Sequence, residues 1–127
     1  MILDTNAVSA LLAGEEKVND LLSAIERPHL PVVVIGEYLY GLKSSTHHKR
    51  LRALLEMLIR ESIVLLVDEP TAEHYAEVRN ELRDKGRPIP ENDVWIAALA
   101  RQHGLPVISR DQHFDEVDGV IRHSWQA

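Results

Sequence analysis

The chain contains no cysteine. Disulfide staples, zinc held by thiolates and a thiol nucleophile are therefore excluded, and a reducing cytoplasm is the natural compartment. No apolar run approaches the length that crosses a bilayer. The start, Met1-Ile2-Leu3-Asp4, has neither the basic flank nor the longer apolar stretch of a secretory signal, so a cytosolic protein with no membrane association is expected. No glycine-rich turn follows an apolar run, which removes a dinucleotide site. Internal repeats and low-complexity tracts are absent, as is the Pro/Gly/Ser excess that marks disorder. The 127 residues, 45% hydrophobic and 27% charged, suffice for one packed domain spanning 1–127 and leave no room for a second.

Positive charge is also scarce. With 14 Lys+Arg against 20 Asp+Glu the formal net charge is −6, whereas nucleic-acid binders usually gain affinity by neutralising phosphates with Lys and Arg. Distribution offers an answer. Lys43, His47, His48, Lys49, Arg50 and Arg52 form one basic stretch, and Arg83, Lys85 and Arg87 form another. Each suits an anionic partner, and each equally suits a solvated helix face. The acids, for their part, have a use if they hold a metal.

Apolar periodicity gives the organisation. Met1 to Leu3 reads as a buried strand cut off by Asp4-Thr5-Asn6. Val8, Leu11 and Leu12, then Val18, Leu21, Leu22 and Ile25, recur at helical spacing on either side of Gly14, predicting two helices. Val32-Val33-Val34-Ile35, a β-branched run without alternation, reads as a second strand covered on both faces, with Glu37 just beyond it. Leu51, Leu54, Leu55 and Leu58 predict a helix, and Ile63 to Val67 a third buried strand. Ala72, Tyr75, Val78 and Leu82 give a helix ending near Gly86. Asn92 to His103 gives another, stopped by Gly104 and Pro106. Val107-Ile108-Ser109 is a fourth strand, and Val120 to Arg122 a weak fifth. Buried strands alternating with helices, and no Asn-Gly hairpin, specify a parallel sheet with helices on both faces.

In such a sheet the carboxyl ends of the strands form the ligand crevice. Asp4 leaves the first strand there, Glu37 follows the second, and Asp111 lies two residues past Ser109. Asp93 falls in the first turn of a helix that returns antiparallel to the strands and so begins at the same rim. Four gathered carboxylates repel one another unless a cation resolves the conflict. Oxygen ligands from Asp and Glu suit Mg²⁺ or Mn²⁺, and zinc is disfavoured without cysteine or a paired-histidine motif. Of the seven histidines only His113, between Asp111 and Asp115, merits a place in view. A metal held this way lowers the pKa of water and offsets charge on a phosphodiester, with Glu37 a candidate general base. Thr5, Asn6 and Ser109 carry neutral hydrogen-bonding groups that can orient the carboxylates. Arg110 can meet a phosphate or an acidic partner.

These segments, Met1-Ile2-Leu3-Asp4-Thr5-Asn6, Gly36-Glu37, Asn92-Asp93-Val94-Trp95-Ile96-Ala97-Ala98 and Ser109-Arg110-Asp111-Gln112-His113-Phe114, resemble the PIN-domain pattern over nearly the whole chain. The short length and the Ile-Ala-Ala helix look most like VapC toxins. The resemblance implies a three-layer α/β/α sandwich around about five parallel strands, endoribonuclease activity, and Mg²⁺ or Mn²⁺ at Asp4, Asp93 and Asp111. It also implies a homodimer and an antitoxin that wraps the toxin and obstructs the acidic site. Operator DNA is then bound through the antitoxin.

Each acid has an ordinary structural use as well. Asp4 and Asp93 suit helix capping, Glu37 the first turns of a helix, and Asp111 a turn. Asp115 reads more simply as continuing a short helix than as a ligand. Two other functions compete. A haloacid-dehalogenase-type phosphatase also ends its first strand on an aspartate and uses Mg²⁺, but wants a second Asp where this chain has Asn6. A non-catalytic PIN-fold interaction module is expected to have lost some of the acids, and all four are present.

Overall fold

The structure is a computed structural model that describes residues 1–126. Its elements are β1 (Ile2–Leu3), α1 (Thr5–Leu12), α2 (Glu16–Ser23), β2 (His29–Pro31), α3 (Val32–Leu42), α4 (His48–Glu61), β3 (Ile63–Leu65), α5 (Glu69–Lys85), α6 (Glu91–His103), β4 (Val107–Ile108) and β5 (Arg122–His123), with a short 3-10 helix over Gln112–Glu116. The five strands form one sheet in the order β3-β2-β1-β4-β5, and every neighbouring pair is parallel. From β1 the chain steps outward through β2 to β3, then returns to the other side of β1 as β4. Right-handed crossovers put α1 to α4 on one face and α5 with α6 on the other. The packing agrees, since α1 lies against α2, α3 and α4, while α5 pairs chiefly with α6.

The reversal between β1 and β4 positions the site. Leu3 pairs with Ile108, so Asp4 and Ser109 leave adjacent strands at the same level. The Asp4 N–H donates to the Ile108 carbonyl at 3.1 Å, extending the ladder to the aspartate itself. Ile2, Leu3, Val107 and Ile108 are wholly buried, as is Phe114, and together they make a stiff floor beneath the rim. Gly86 and Gly104 end α5 and α6 in the left-handed conformation, where glycine carries no Cβ penalty.

Three expected strand positions are corrected. Val32 to Ile35 are the first turn of α3, not a strand; the second strand is His29-Leu30-Pro31, one segment earlier. Pro31, at φ −66°, ends the ladder and precedes the helix, and Val34, Tyr38 and Leu42 then bury one stripe at helical spacing. Packing of that stripe overrides the β preference of the valines. The third strand is not buried on both faces. As an edge strand it spans only Ile63–Leu65, and Ile63, Leu66 and Val67 are exposed. The fifth strand begins two residues later than expected, at Arg122.

Candidate active site

Asp4 is the innermost acid, only 4% exposed. Its Oδ1 accepts the Thr5 N–H at 2.8 Å, so it does cap α1. Its other oxygen, Oδ2, accepts the Ser109 hydroxyl at 2.6 Å and the Asn6 amide at 3.3 Å. Asn6 bridges further, accepting the Arg110 backbone N–H at 3.3 Å on Oδ1. Thr5 donates its hydroxyl to Glu37 Oε1 at 2.6 Å, linking α1 to α3. Thr5 thus touches Glu37, and Asn6 and Ser109 both touch Asp4.

Asp93 arrives from the opposite face of the sheet. The residue preceding α6 is Pro90, and no side chain caps the helix, so capping does not explain Asp93, whose side chain is largely buried. Its Oδ2 lies 2.8 Å from His113 Nδ1. Asp111 follows β4, its N–H donating to Ser109 Oγ at 2.9 Å and its Oδ1 accepting the His113 N–H at 3.0 Å. Here the turn-forming role is real and coexists with a place at the rim. His113 Nδ1 also stands 2.9 Å from Asp111 Oδ1.

The electrostatics record how closely the four acids gather. Burial pushes the Asp4 carboxyl up to about 6 despite the Ser109 and Thr5 hydrogen bonds, and the Asp93 and Glu37 charges raise it further. Asp93 is also raised, first by burial, with the Asp111 and Glu37 charges adding to it and His113 opposing. The bond to Asp93 raises His113, and the charges of Asp111 and Asp4 reinforce it. Among the described residues no Lys or Arg forms an ion pair with Asp4, Glu37, Asp93 or Asp111. A buried carboxylate without a cation is costly, and the oxygens of Asp93 and Asp111 with His113 Nδ1 lie within 4.8 Å of one another. This donor set fits a small divalent ion.

Two concavities flank these acids. A groove of about 310 Å³ between α1, α3 and α4 runs from Thr5 and Glu37 past Tyr38 to Ser45 and Leu51. A more open hollow is lined by Asn6, Arg110, Asp111 and His113. The basic residues from Lys43 to Arg52 are all exposed around the start of α4, and Arg52 pairs with Glu56 one turn on, at 3.7 Å. In the second basic stretch, Lys85 is tied to Asp118 at 3.1 Å.

Two residues carry more than their sequence signal suggested. His113 is an integral part of the cluster; its spacing of two from Asp111 was the available hint. Arg122 had no such hint. It grips Asp115 through two bonds of 2.9 and 3.0 Å and donates to the Ser109 carbonyl at 3.2 Å. Asp115 is therefore held by Arg122.

A parallel α/β sheet with acids at its switch point defines a class, and comparison with known proteins identifies it. The PIN domain matches residues 1–120, and the chain belongs to that family. It is similar to Ribonuclease VapC5 of Mycobacterium tuberculosis, 32% identical over 121 residues covering 94% of this chain and 88% of the relative. Toxin FitB of Neisseria gonorrhoeae is 32% identical over 137 aligned positions, 98% of each chain. Among solved structures, DNA-bound VapBC from Salmonella typhimurium superimposes with a TM-score of 0.89 at 28% identity, covering 98% of this chain and 96% of that one. FitAcB from Neisseria gonorrhoeae gives 0.84 at 30% identity and 99% of both. The match leaves no support for the haloacid-dehalogenase alternative; Asn6, at the decisive position, is engaged with Asp4 and Ser109. Among the described residues no helix is long and apolar enough to cross a membrane.

Proposed function

We propose that this chain is the toxin of a type II toxin–antitoxin pair and a divalent-metal-dependent endoribonuclease that hydrolyses RNA phosphodiester bonds. The observation that carries this reading is the convergence of Asp4, Glu37, Asp93 and Asp111, two of them buried, on one sheet edge, where among the described residues no Lys or Arg is ion-paired with them. Asp4, Asp93 and Asp111 would hold the ion, Mg²⁺ or Mn²⁺. The chemistry such an ion supplies is charge neutralisation at the scissile phosphate and acidification of water. Glu37, oriented by Thr5 from α1, takes the proton of the attacking water. Ser109 and Asn6 fix the Asp4 oxygens. Arg110 and the exposed residues from Lys43 to Arg52 serve phosphates of the RNA.

The PIN domain occupies the whole of 1–127, and the protein acts in the cytoplasm as a homodimer. Relatives solved as VapBC and FitAB assemblies, some of them on DNA, support an antitoxin partner; in this reading that partner covers the acidic rim and carries the operator contact. The reading is tested by incubating purified protein with structured RNA in Mn²⁺, in Mg²⁺ and in chelator. Cleavage should require the metal and vanish in Asp93→Asn. A well-folded Asp93→Asn protein that cuts at the wild-type rate overturns the site. Sequencing RNA ends after induction identifies the substrate.

A further inference from the structure

His113 adds a nitrogen to a centre otherwise made of carboxylate oxygens. Its Nδ1 stands 2.8 Å from Asp93 Oδ2 and 2.9 Å from Asp111 Oδ1, two acids delivered by different elements. A ring nitrogen carries at most one hydrogen, fixed in the ring plane, so it cannot point at both oxygens. The ring nitrogen makes its hydrogen bond to Asp93, and Asp111 Oδ1 instead takes the backbone N–H of His113 at 3.0 Å. A cation among the three atoms serves all of them at once. Neighbouring ligands on an octahedral ion with bonds of about 2.1 Å lie about 3.0 Å apart, which is close to both separations.

The ring is also held in advance. Asp111 caps the 3-10 helix that carries His113, and the next residue, Phe114, is wholly buried and anchors that helix in the core. From this geometry we infer that His113 Nδ1 is itself a ligand of the ion held by Asp93 and Asp111, making the centre a mixed nitrogen and oxygen site. The inference rests on the metal reading above and extends it to selectivity. Imidazole suits the later first-row ions best and Mn²⁺ the least of that series, yet it binds Mn²⁺ better than Mg²⁺, which favours oxygen and water; of the two ions named above, His113 therefore favours Mn²⁺.

The test is binding of Mn²⁺ and of Mg²⁺ to the full chain by calorimetry, with pulsed electron paramagnetic resonance on bound Mn²⁺ to detect a directly coordinated ¹⁴N. Wild-type protein should show nitrogen coupling that His113→Ala lacks. In that variant Mn²⁺ affinity should fall by about tenfold or more, while Mg²⁺ affinity changes by less than about threefold. If His113→Ala does not fold, the wild-type nitrogen signal alone decides. Mn²⁺ bound by wild type with no nitrogen coupling overturns the ligand assignment and leaves the carboxylate site standing. No Mn²⁺ binding by wild type, or undiminished binding by Asp93→Asn, overturns the metal reading itself.

Discussion

The Ser109 hydroxyl donates to Asp4 Oδ2 at 2.6 Å, joining the ends of two neighbouring strands across 105 positions of sequence with both side chains buried. A hydrogen bond to a charged group contributes about 1.5–3 kcal/mol. Ser109→Ala should therefore destabilise the protein by about that amount where Asp4 is ionised. Its effect on Asp4 is more diagnostic: with the hydroxyl gone, the carboxyl should titrate above about 6 in metal-free protein. Carbon-detected NMR of the aspartate side chains measures this, and an unmoved titration contradicts it.

Metal-free protein should lose stability as pH rises toward neutrality. Asp4 has an ordinary value of 3.8 and reaches about 6 in the fold, so the folded state holds its proton more tightly than the unfolded chain does. The resulting stability is complete below the unfolded value and is lost as pH passes through the folded one. A shift of two units corresponds to about 3 kcal/mol. Asp93 and His113 are raised too and act in the same sense, His113 in a higher window because its ordinary value is 6.5. Asp115, lowered by Arg122, acts oppositely and only in strong acid. Thermal unfolding in chelator should give a Tm that falls between about pH 5 and 8, with Mn²⁺ restoring it at the upper end. A rising Tm across that interval contradicts the assignment.

Asp4→Asn separates function from stability. The amide keeps an oxygen for the Thr5 N–H while the buried charge disappears. At neutral pH in chelator the variant should be more stable than wild type by about 1–3 kcal/mol, gain little on adding Mn²⁺, and cleave RNA at least about a hundredfold more slowly. Melting curves with and without metal, read beside a cleavage assay, check all three.

Glu37→Gln should behave differently. Thr5 retains an oxygen acceptor, so the link between α1 and α3 survives. A general base contributes on the order of 10²-fold or more, whereas loss of a carboxylate outside the metal donors should alter Mn²⁺ affinity by less than about threefold. Single-turnover cleavage and calorimetry together distinguish this role from metal binding.

Asp115→Asn is the contrasting case. Asp115 is half exposed and paired with Arg122, so removing its charge should cost no more than about 1 kcal/mol. RNA cleavage should stay within about threefold of wild type. A hundredfold loss would return Asp115 to the site.

Much of the architecture was readable because periodicity and punctuation agreed. The helices ending at Gly86 and Gly104, the parallel alternation and the meeting of Asp4, Asp93 and Asp111 with Glu37 at one edge all follow from where apolar runs stop. The second strand was not readable. Val32 to Ile35 have the composition of a strand and sit in a helix, because Pro31 ends the ladder and α3 buries Val34, Tyr38 and Leu42 on one side. Even so, Glu37 reached the rim, since α3 starts at the same edge.

The sequence by itself determined that acids lie just past β1 and β4 and early in α3 and α6, and hence that they can gather at one rim. Only the tertiary structure decided how these side chains are wired: Ser109 on Asp4, Thr5 on Glu37, His113 between Asp93 and Asp111, and Arg122 on Asp115. The reason is that strand ends follow from local pattern, whereas each of these contacts depends on the register of separate elements packed against one another.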